Sequence, residues 1–441
     1  MILASSDTLS IWKSLHQQRQ HARTLAADRF VDFPNGPTDK EHRRRSCEQI
    51  RDGKAANDKL PFWRAFCQAL PPADSAILFG QLKARLIINA SGGVLENGGL
   101  CLDRTSGIPF IPGSSVKGCA RRIAIAGLRE WTEFGQKPNE PDELKPMVES
   151  FSNPAEMLEK IAWIFGWGDQ DWKSGRKPGR NGAEGELISD FEFACGEGQA
   201  WNQVRAEVAT RLLARLGVRK CEHADEPWRD LPSFAGAVQF LPGFPWRTDP
   251  GIELDVVTPH QMDYYNDAST ATATDTEEPT PNVFPVVSAA KEPLFVFPLV
   301  RSPHATGNDV LTARNWLRAG LTLLGIGGKT AAGYGWFETG EKLQKEVLGS
   351  LQRSSVKTSR ALLEEFQKWN DKQARKAAAA FAFASLVPKT GREATNEYRF
   401  TLAKFILEER TALFLREKNH AGSDFAKGVK RLAEEFQIPL P

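Results

Sequence analysis

Two stretches carry residue types and spacings suited to holding phosphate. The first is Gly325-Ile326-Gly327-Gly328-Lys329-Thr330-Ala331-Ala332-Gly333-Tyr334-Gly335-Trp336, with five glycines and one lysine in twelve residues. Glycines let the main chain approach a ligand and adopt positive φ, and successive N–H groups in such a loop form an anion-binding nest. The second begins Gly107-Ile108-Pro109-Phe110-Ile111-Pro112-Gly113-Ser114-Ser115-Val116-Lys117-Gly118 and continues to Arg122. A short apolar strand ends at Pro112-Gly113, serine caps the helix that follows, and Val116, Ala120, Ile123 and Gly127 form its buried stripe. Ser114, Lys117 and Arg121 then fall near one face, beside a helix N-terminus that favours an anion. Taken singly, the first stretch also reads as a tight helix-to-strand turn and the second as a capped helix with solvated basic residues. Taken together, a string of phosphates explains two separated elements better than one small ligand does.

A nucleotide pocket fails on spacing and element order. The P-loop pattern places a glycine at position 323, which is Leu323, and needs a strand before the loop and a helix after it. Here the preceding segment is helical, with apolar residues at 313, 316, 317, 320, 321 and 324, and Tyr334 to Phe337 is strand-like. The dinucleotide fingerprint fails too, because its third glycine falls at Thr330.

The elements that must position these motifs fall into three regions. Residues 1–75 read as a helical extension, with Leu9, Trp12 and Leu15 at helical spacing and a basic run, Arg43-Arg44-Arg45. Residues 76–340 show short strands, glycine-rich turns and isolated helices, an α+β signature. Within them a half-buried strand is expected over Leu82–Ile88, and a hairpin turn at Arg104-Thr105-Ser106-Gly107 between 99–103 and 108–111. Residues 263–285 read as a flexible, acidic surface loop, after which Val283–Val287 and Leu294–Phe297 are expected to return to the sheet. Residues 341–441 read as a helical domain, with Leu362, Leu363, Phe366 and Trp369 on one stripe and Leu402, Phe405, Ile406, Leu413 and Phe414 on another.

The 441 residues, 41% hydrophobic and 25% charged, suit a globular protein of two or three domains, and a formal net charge of +2 makes any nucleic-acid surface local. Six cysteines, with no C-x-x-C pair and no zinc-finger spacing, read as buried thiols in a reducing cytoplasm. No membrane span is expected, since the longest small-apolar run, Ala377–Val387, falls far short of the roughly 20 residues needed. No metal or cofactor set is visible.

The pairing of the Ser-Ser-Val-Lys helix start with the glycine-lysine loop resembles the RAMP superfamily of CRISPR proteins over roughly 76–340. Asp255-Val256-Val257-Thr258-Pro259-His260, with Tyr264-Tyr265, is similar to the sixth-subunit family of Cmr, the type III-B effector complex. The resemblance implies a ferredoxin-like, RRM-type core of the Cas7 kind. It also implies CRISPR RNA (crRNA) as ligand, held toward its 3′ end beside a Cas7-like backbone subunit and a capping subunit, with target RNA met indirectly. On matching positions, Ser114, Ser115, Lys117, Arg121, Gly327, Gly328, Lys329 and Thr330 would contact guide phosphates. The resemblance also implies a small helical subunit as a partner. The 1–75 and 341–441 segments exceed the usual core, and whether the C-terminal one replaces that small subunit is left open by the sequence. A Gly-, Lys- and Arg-rich insertion at 167–182 is a further departure. Its Lys173, Arg176, Lys177 and Arg180 either reach RNA or belong to a disordered loop.

A nuclease and a scaffold differ in the catalytic groups they need. Glu96 is the sole acid of the loop after the first strand, and neither Asp103 nor Asp190 has a second carboxylate in sequence to build a metal pair. His260 is the one histidine inside a motif and fits a structural role better than that of a general base. The expectation is a non-catalytic RNA-binding subunit, the alternative an endoribonuclease acting on crRNA precursor or target RNA.

Overall fold

The computed structural model describes residues 6–17, 21–28, 40–92, 98–134, 151–168, 175–178, 184–187, 189–195, 199–218, 221–258, 281–383, 396–420 and 422–441. They form two compact units, 1–343 and 344–441.

The first unit opens with four helices, α1 (Ser6–Gln17), α2 (Arg23–Asp28), α3 (Lys40–Asp52) and α4 (Lys59–Ala69), and then β1 (Ser75–Leu82) and α5 (Gly113–Phe134). An inserted segment follows: α6 (Pro154–Phe165), β2 (Gly166–Trp167), β3 (Gly175–Pro178), β4 (Glu184–Leu187), α7 (Asp190–Cys195), α8 (Gln199–Arg215) and β5 (Phe234–Ala235). The chain continues through β6 (Val238–Phe240), β7 (Phe244–Pro245), the hairpin β8 (Ile252–Val257) and β9 (Asn282–Val287), β10 (Leu294–Arg301), α9 (Gly307–Leu323) and β11 (Phe337–Glu338).

The main sheet has the order β11-β1-β10-β6, with β7 also on β10, and its ladders are antiparallel. Stripped of its insertions, the chain runs β1-α5-β6/β7-β10-α9-β11. This is a βαββαβ unit with strand order 4-1-3-2, the ferredoxin-like arrangement expected. Phe295, Phe297 and Leu299 of β10 and Leu78 and Leu82 of β1 meet Val116, Ala120 and Ile123 of α5 and Ala313, Trp316 and Leu317 of α9 in one buried core. A strand buried on both faces needs a continuous apolar run, and Leu-Phe-Val-Phe at 294–297 supplies it.

Two expected strands lie elsewhere. The strand read over Leu82–Ile88 is the preceding segment, 75–82. From Lys83 the chain leaves β10, and Leu86 bridges Val287 while Arg85 accepts from Gly335 N–H at 2.8 Å. The stretch 282–287 does not rejoin the main sheet. It pairs with β8 as a separate hairpin, with Val256 opposite Val283 and Leu254 opposite Pro285. The 104–107 turn is present, closed by Gly107 N–H to Asp103 O at 2.7 Å.

The N-terminal helices pack into the first unit. Buried Arg23 makes a two-pronged ion pair with Asp249, at 3.0 and 2.9 Å, and also donates to Gly107 O. Asp309, fully buried, caps α9 with Thr306, accepts from Lys160 at 2.7 Å and lies 3.7 Å from Arg215. Burial opposes the charge of Asp309, but the Lys160 ammonium and the Thr306 N–H and hydroxyl outweigh it and hold the carboxyl below its usual range.

The second unit comprises most of α10 (Glu341–Gln367), then α11 (Asp371–Ala379), α12 (Asn396–Lys404), a short π-turn, α13 (Thr411–Glu417) and α14 (Asp424–Glu435). Leu362, Phe366, Leu402, Phe405, Ile406, Leu413 and Phe414 are buried in its core, with Leu363 and Trp369 against them. No helix of the described residues is long and apolar enough to cross a membrane. All six cysteines are free, but Cys221 is exposed and Cys101 and Cys195 half-buried, so the expectation of six buried thiols holds for Cys47, Cys67 and Cys119.

Removing one partner of a buried pair strands the other charge, so Asp309→Ala is expected to lower the unfolding free energy by about 3–5 kcal/mol in urea titration. Because the folded carboxyl lies below its unfolded value, this contribution is full above about pH 4 and fades as pH falls further.

Candidate nucleic-acid interface

The two motifs meet at one end of the sheet. Since β1 and β10 are antiparallel, α5 and α9, which follow them, also run in opposite senses. The start of α5 and the end of α9 therefore lie side by side. Gly320 makes the approach possible: a Cβ there would stand 2.8 Å from both the carbonyl oxygen and the sulfur of Cys119. One turn further along, the buried Cys119 thiol donates to Gly325 O at 3.6 Å, joining the helix directly to the glycine loop. Burial pushes that thiol up to about 12, so it stays a neutral donor.

The expected stripe of α5 is buried: Val116 and Ala120 fully, with Ile123 and Gly127 beside them. Ser114 is exposed, and Ser115, Lys117 and Arg121 are half-buried. Arg121 ion-pairs with Asp190 at the start of α7, so an arriving phosphate competes with a carboxylate there.

The glycine loop differs from a phosphate nest. Gly328 N–H donates to Ile87 O at 2.8 Å, Gly335 N–H to Arg85 O at 2.8 Å, and Ile326 N–H to Gly335 O at 2.9 Å. The first two bonds hold the loop to segment 83–87 and the third closes it on itself, and the glycines serve that closeness. Gly335, at φ +69°, has Ile326 O where a Cβ would lie, 1.9 Å away, and Gly327, at φ +96°, has Ile87 O at 2.1 Å. What the loop presents outward is Lys329. It is exposed, sits in the left-handed region at φ +55°, and has its ammonium 5.7 Å from the Phe284 ring centre. Among the described residues it has no carboxylate partner. Thr330 is half-buried beside it, its carbonyl accepting from the Trp336 indole at 3.2 Å.

Sequence reading missed the network that fixes this loop. Tyr334 hydroxyl donates to Asp255 on β8, and Arg85 donates to the same carboxylate at 2.7 Å and pairs with Glu253 at 3.3 Å. Burial opposes the charge on Asp255, but the hydrogen bonds from Tyr334 and Arg85 outweigh it and keep the carboxyl below its usual range. Burial and the Asp255 carboxylate together raise the Tyr334 hydroxyl. Tyr334 thereby packs against Ile87, Phe284 and Val286. Tyr334, Asp255 and Arg85 stand in stretches singled out from the sequence, but nothing in their spacing pairs them.

The remaining site expectations divide. Arg176 and Lys177 lie on β3, opposite Glu186 and Gly185 of β4, so this part of the insertion is a hairpin ladder. Lys173, Arg180, Glu96, His260, Tyr264 and Tyr265 lie outside the described residues, as does most of the acidic loop. Asp103 is taken up by its own turn: Lys59 reaches it at 3.0 Å, and Thr105 and Ser106 N–H and hydroxyl groups donate to Oδ1. Against the opposing effect of burial, these bonds hold its carboxyl well below the usual range. Among the described residues no group of three His, Cys, Asp or Glu is placed to hold a metal.

A family model described as the RAMP superfamily matches residues 90–338, from the segment before the helix motif to β11. The chain belongs to the RAMP superfamily. No curated protein matches this RAMP chain. Among solved structures, a chain of the type III-B Cmr-beta complex bound to cognate target RNA matches at 14% identity. The match covers 76% of this chain and 87% of that one, with a TM-score of 0.36. Cmr6 from Pyrococcus furiosus matches at 18% identity over 61% and 100% of the two chains, TM-score 0.27. A CRISPR RNA-guided surveillance complex, pre-nicking, matches at 12% over 60% and 76%, TM-score 0.28. Superpositions this loose transfer no residue roles.

Gly333 and Gly335 separate backbone strain from close approach, since both have positive φ but only Gly335 has a carbonyl against it. Gly333→Ala is expected to cost about 1–2 kcal/mol and Gly335→Ala about 3 or more, by denaturant unfolding. Asp255→Asn is expected to speed amide exchange across 325–336 at neutral pH. The protection of the wild-type loop, taken relative to the intrinsic exchange rate at each pH, should fall to that of the variant only below about pH 4, where a carboxylate with a depressed folded value finally protonates.

Proposed function

We propose that this RAMP protein is a non-catalytic RNA-binding subunit of a type III-B CRISPR (Cmr) ribonucleoprotein. It holds the crRNA backbone toward its 3′ end and bridges neighbouring subunits in antiviral defence. The observation that carries the reading is the meeting of the α5 start with the glycine loop, which sets Ser114, Lys117, Lys329 and Thr330 on elements joined at Cys119 and Gly325. Hydroxyls and lysines on such elements suit a phosphate chain, and contacts of that kind are indifferent to base sequence. A guide of any spacer demands this. The Cmr placement rests on the likeness around Asp255–His260 and Tyr264-Tyr265.

Base-independent holding explains the loop's construction. Amides bonded on both sides of Lys329 hold its backbone in the left-handed region, so binding need order only its side chain. The nuclease alternative finds no support at Asp103, whose lone pairs serve its turn, or at Asp190, which faces Arg121.

In the assembled ribonucleoprotein, Lys117→Ala and Lys329→Ala should each weaken crRNA binding to a similar degree for unrelated guide sequences. Each should reduce the log–log salt slope by about 1. Filter-binding titrations at several salt concentrations measure both, and an unchanged slope in both variants would point to an adaptor that does not touch RNA. Asp190→Ala removes the carboxylate facing Arg121 and is expected to tighten binding and steepen the slope. Labelled target RNA incubated with complexes carrying Asp103→Ala, Glu96→Ala or His260→Ala should give unchanged product patterns. Loss of a product in any of them, with assembly intact, would establish the endoribonuclease instead.

A further inference from the structure

Helix α5 carries a glycine that nothing in the described fold requires. Gly113 and Gly320 are forced by contact, since a Cβ would stand 2.2 Å from Phe240 O at the first and 2.8 Å from Cys119 O at the second. Gly118 lies inside α5, outside the left-handed region, and among the described residues a Cβ there would meet no atom within 4 Å. A glycine within a helix weakens it relative to alanine, because more backbone freedom is lost on folding. No contact among the described residues offsets that loss.

With 3.6 residues per turn, Gly118 stands opposite the buried stripe of Val116, Ala120 and Ile123. Ser114 and Arg122, about one turn to either side, are exposed with it, and Lys117 and Arg121 flank the same face. The stretch 113–122 holds these three cations and no acid. Arg121 is answered by Asp190, whereas Arg122 has no carboxylate partner among the described residues. Helix α7 packs over this side of α5 from Arg121 onward, with Asp190 on Arg121, the Phe193 ring 4.0 Å from the Arg129 guanidinium and Ala194 O accepting from Thr132 at 2.6 Å. The face is left exposed at Ser114 and Gly118.

We propose that the absence of a side chain at 118 lets the sugar–phosphate chain of the crRNA cross α5 against its bare backbone, between Ser114 and Arg122. The inference rests on the reading of this helix as an RNA-holding element and adds Gly118 and Arg122 to it. Charge selects the occupant. A surface with three cations and no acid of its own draws a polyanion, while an apolar protein segment would cover those cations without pairing them. Reach explains the glycine. The Ser114 side chain is short, so its hydroxyl comes within about 3 Å of a phosphate oxygen only if the strand lies close to the helix. A Cβ at 118 would hold the strand off.

Gly118→Ala and Gly118→Leu test this in the assembled ribonucleoprotein. Both substitutions favour the helix, so the thermal midpoint of the full chain should rise, by about 1–3 °C for alanine. Affinity for crRNA in filter binding should nevertheless fall, about tenfold for alanine and further for leucine, as when a group is forced into a close contact. Arg122→Ala should reduce the log–log salt slope by about 1. Lys117→Ala and Lys329→Ala are measured beside them. If the lysine variants weaken crRNA binding while both Gly118 variants bind like the wild type, this inference alone fails. If lysine and glycine variants all bind like the wild type, the RNA-holding reading fails with it. A lowered midpoint in Gly118→Ala overturns the inference too, because the added methyl then meets the protein's own chain. So does weaker association of the Gly118 variants with neighbouring subunits in the absence of RNA, which would mark a protein contact instead.

Discussion

The close crossing of α5 and α9 at Gly320 is the constraint on which the site depends. A side chain at 320 would drive the helices apart by pushing on the Cys119 backbone, and the Cys119–Gly325 contact lies only five residues further along α9's exit. The crossing can form because β1 and β10 are antiparallel neighbours, which brings the helices to the same face with opposed directions. The sheet order thus sets the helix pairing, and the helix pairing sets which loop stands beside the Ser-Ser-Val-Lys helix start.

The glycine loop is rigid for a second reason. The β8–β9 hairpin has two working faces, as a strand pair with alternating side chains must. Phe284 and Val286 face Ile87 and Tyr334, while Leu254 and Val283 pack toward Trp12, Cys47 and Ile50 of the N-terminal helices. Arg85, Asp255 and Tyr334 add directional bonds on the loop side. The N-terminal helices also hold the other motif: Arg23 grips Gly107 O, Ala56 N–H donates to Ser106 O at 2.7 Å, and Lys59 answers Asp103. Both motifs are therefore braced by chain that sequence reading treated as an appendage.

Much of the fold was legible. The burial of 313, 316, 317, 320 and 321 followed from helical periodicity, and the stripe of α5 followed likewise. The strands were less legible. Leu82–Ile88 alternates like a strand, yet its carbonyls serve the glycine loop and β9, whereas the central strand pairing begins at Ser75. Val283–Val287 is apolar enough for the main sheet but finds its partner across the excursion from β8. Periodicity reports that a segment is extended and half-buried, and leaves open which neighbour it bonds.

The sequence by itself determined that two glycine- and lysine-bearing motifs exist, that one starts a helix and the other ends one, and that neither is a nucleotide pocket. Those conclusions rest on local physics: φ freedom, capping and spacing. Only the tertiary structure decided that the loop's amides bond to segment 83–87 or within the loop instead of standing open, that Arg121 is matched by Asp190, and that Arg43 donates to Val283 O. Hydrogen-bond satisfaction and charge pairing are set by which atoms approach within about 3 Å, and partners separated by 69 residues, as Arg121 and Asp190 are, leave no mark on either stretch of sequence.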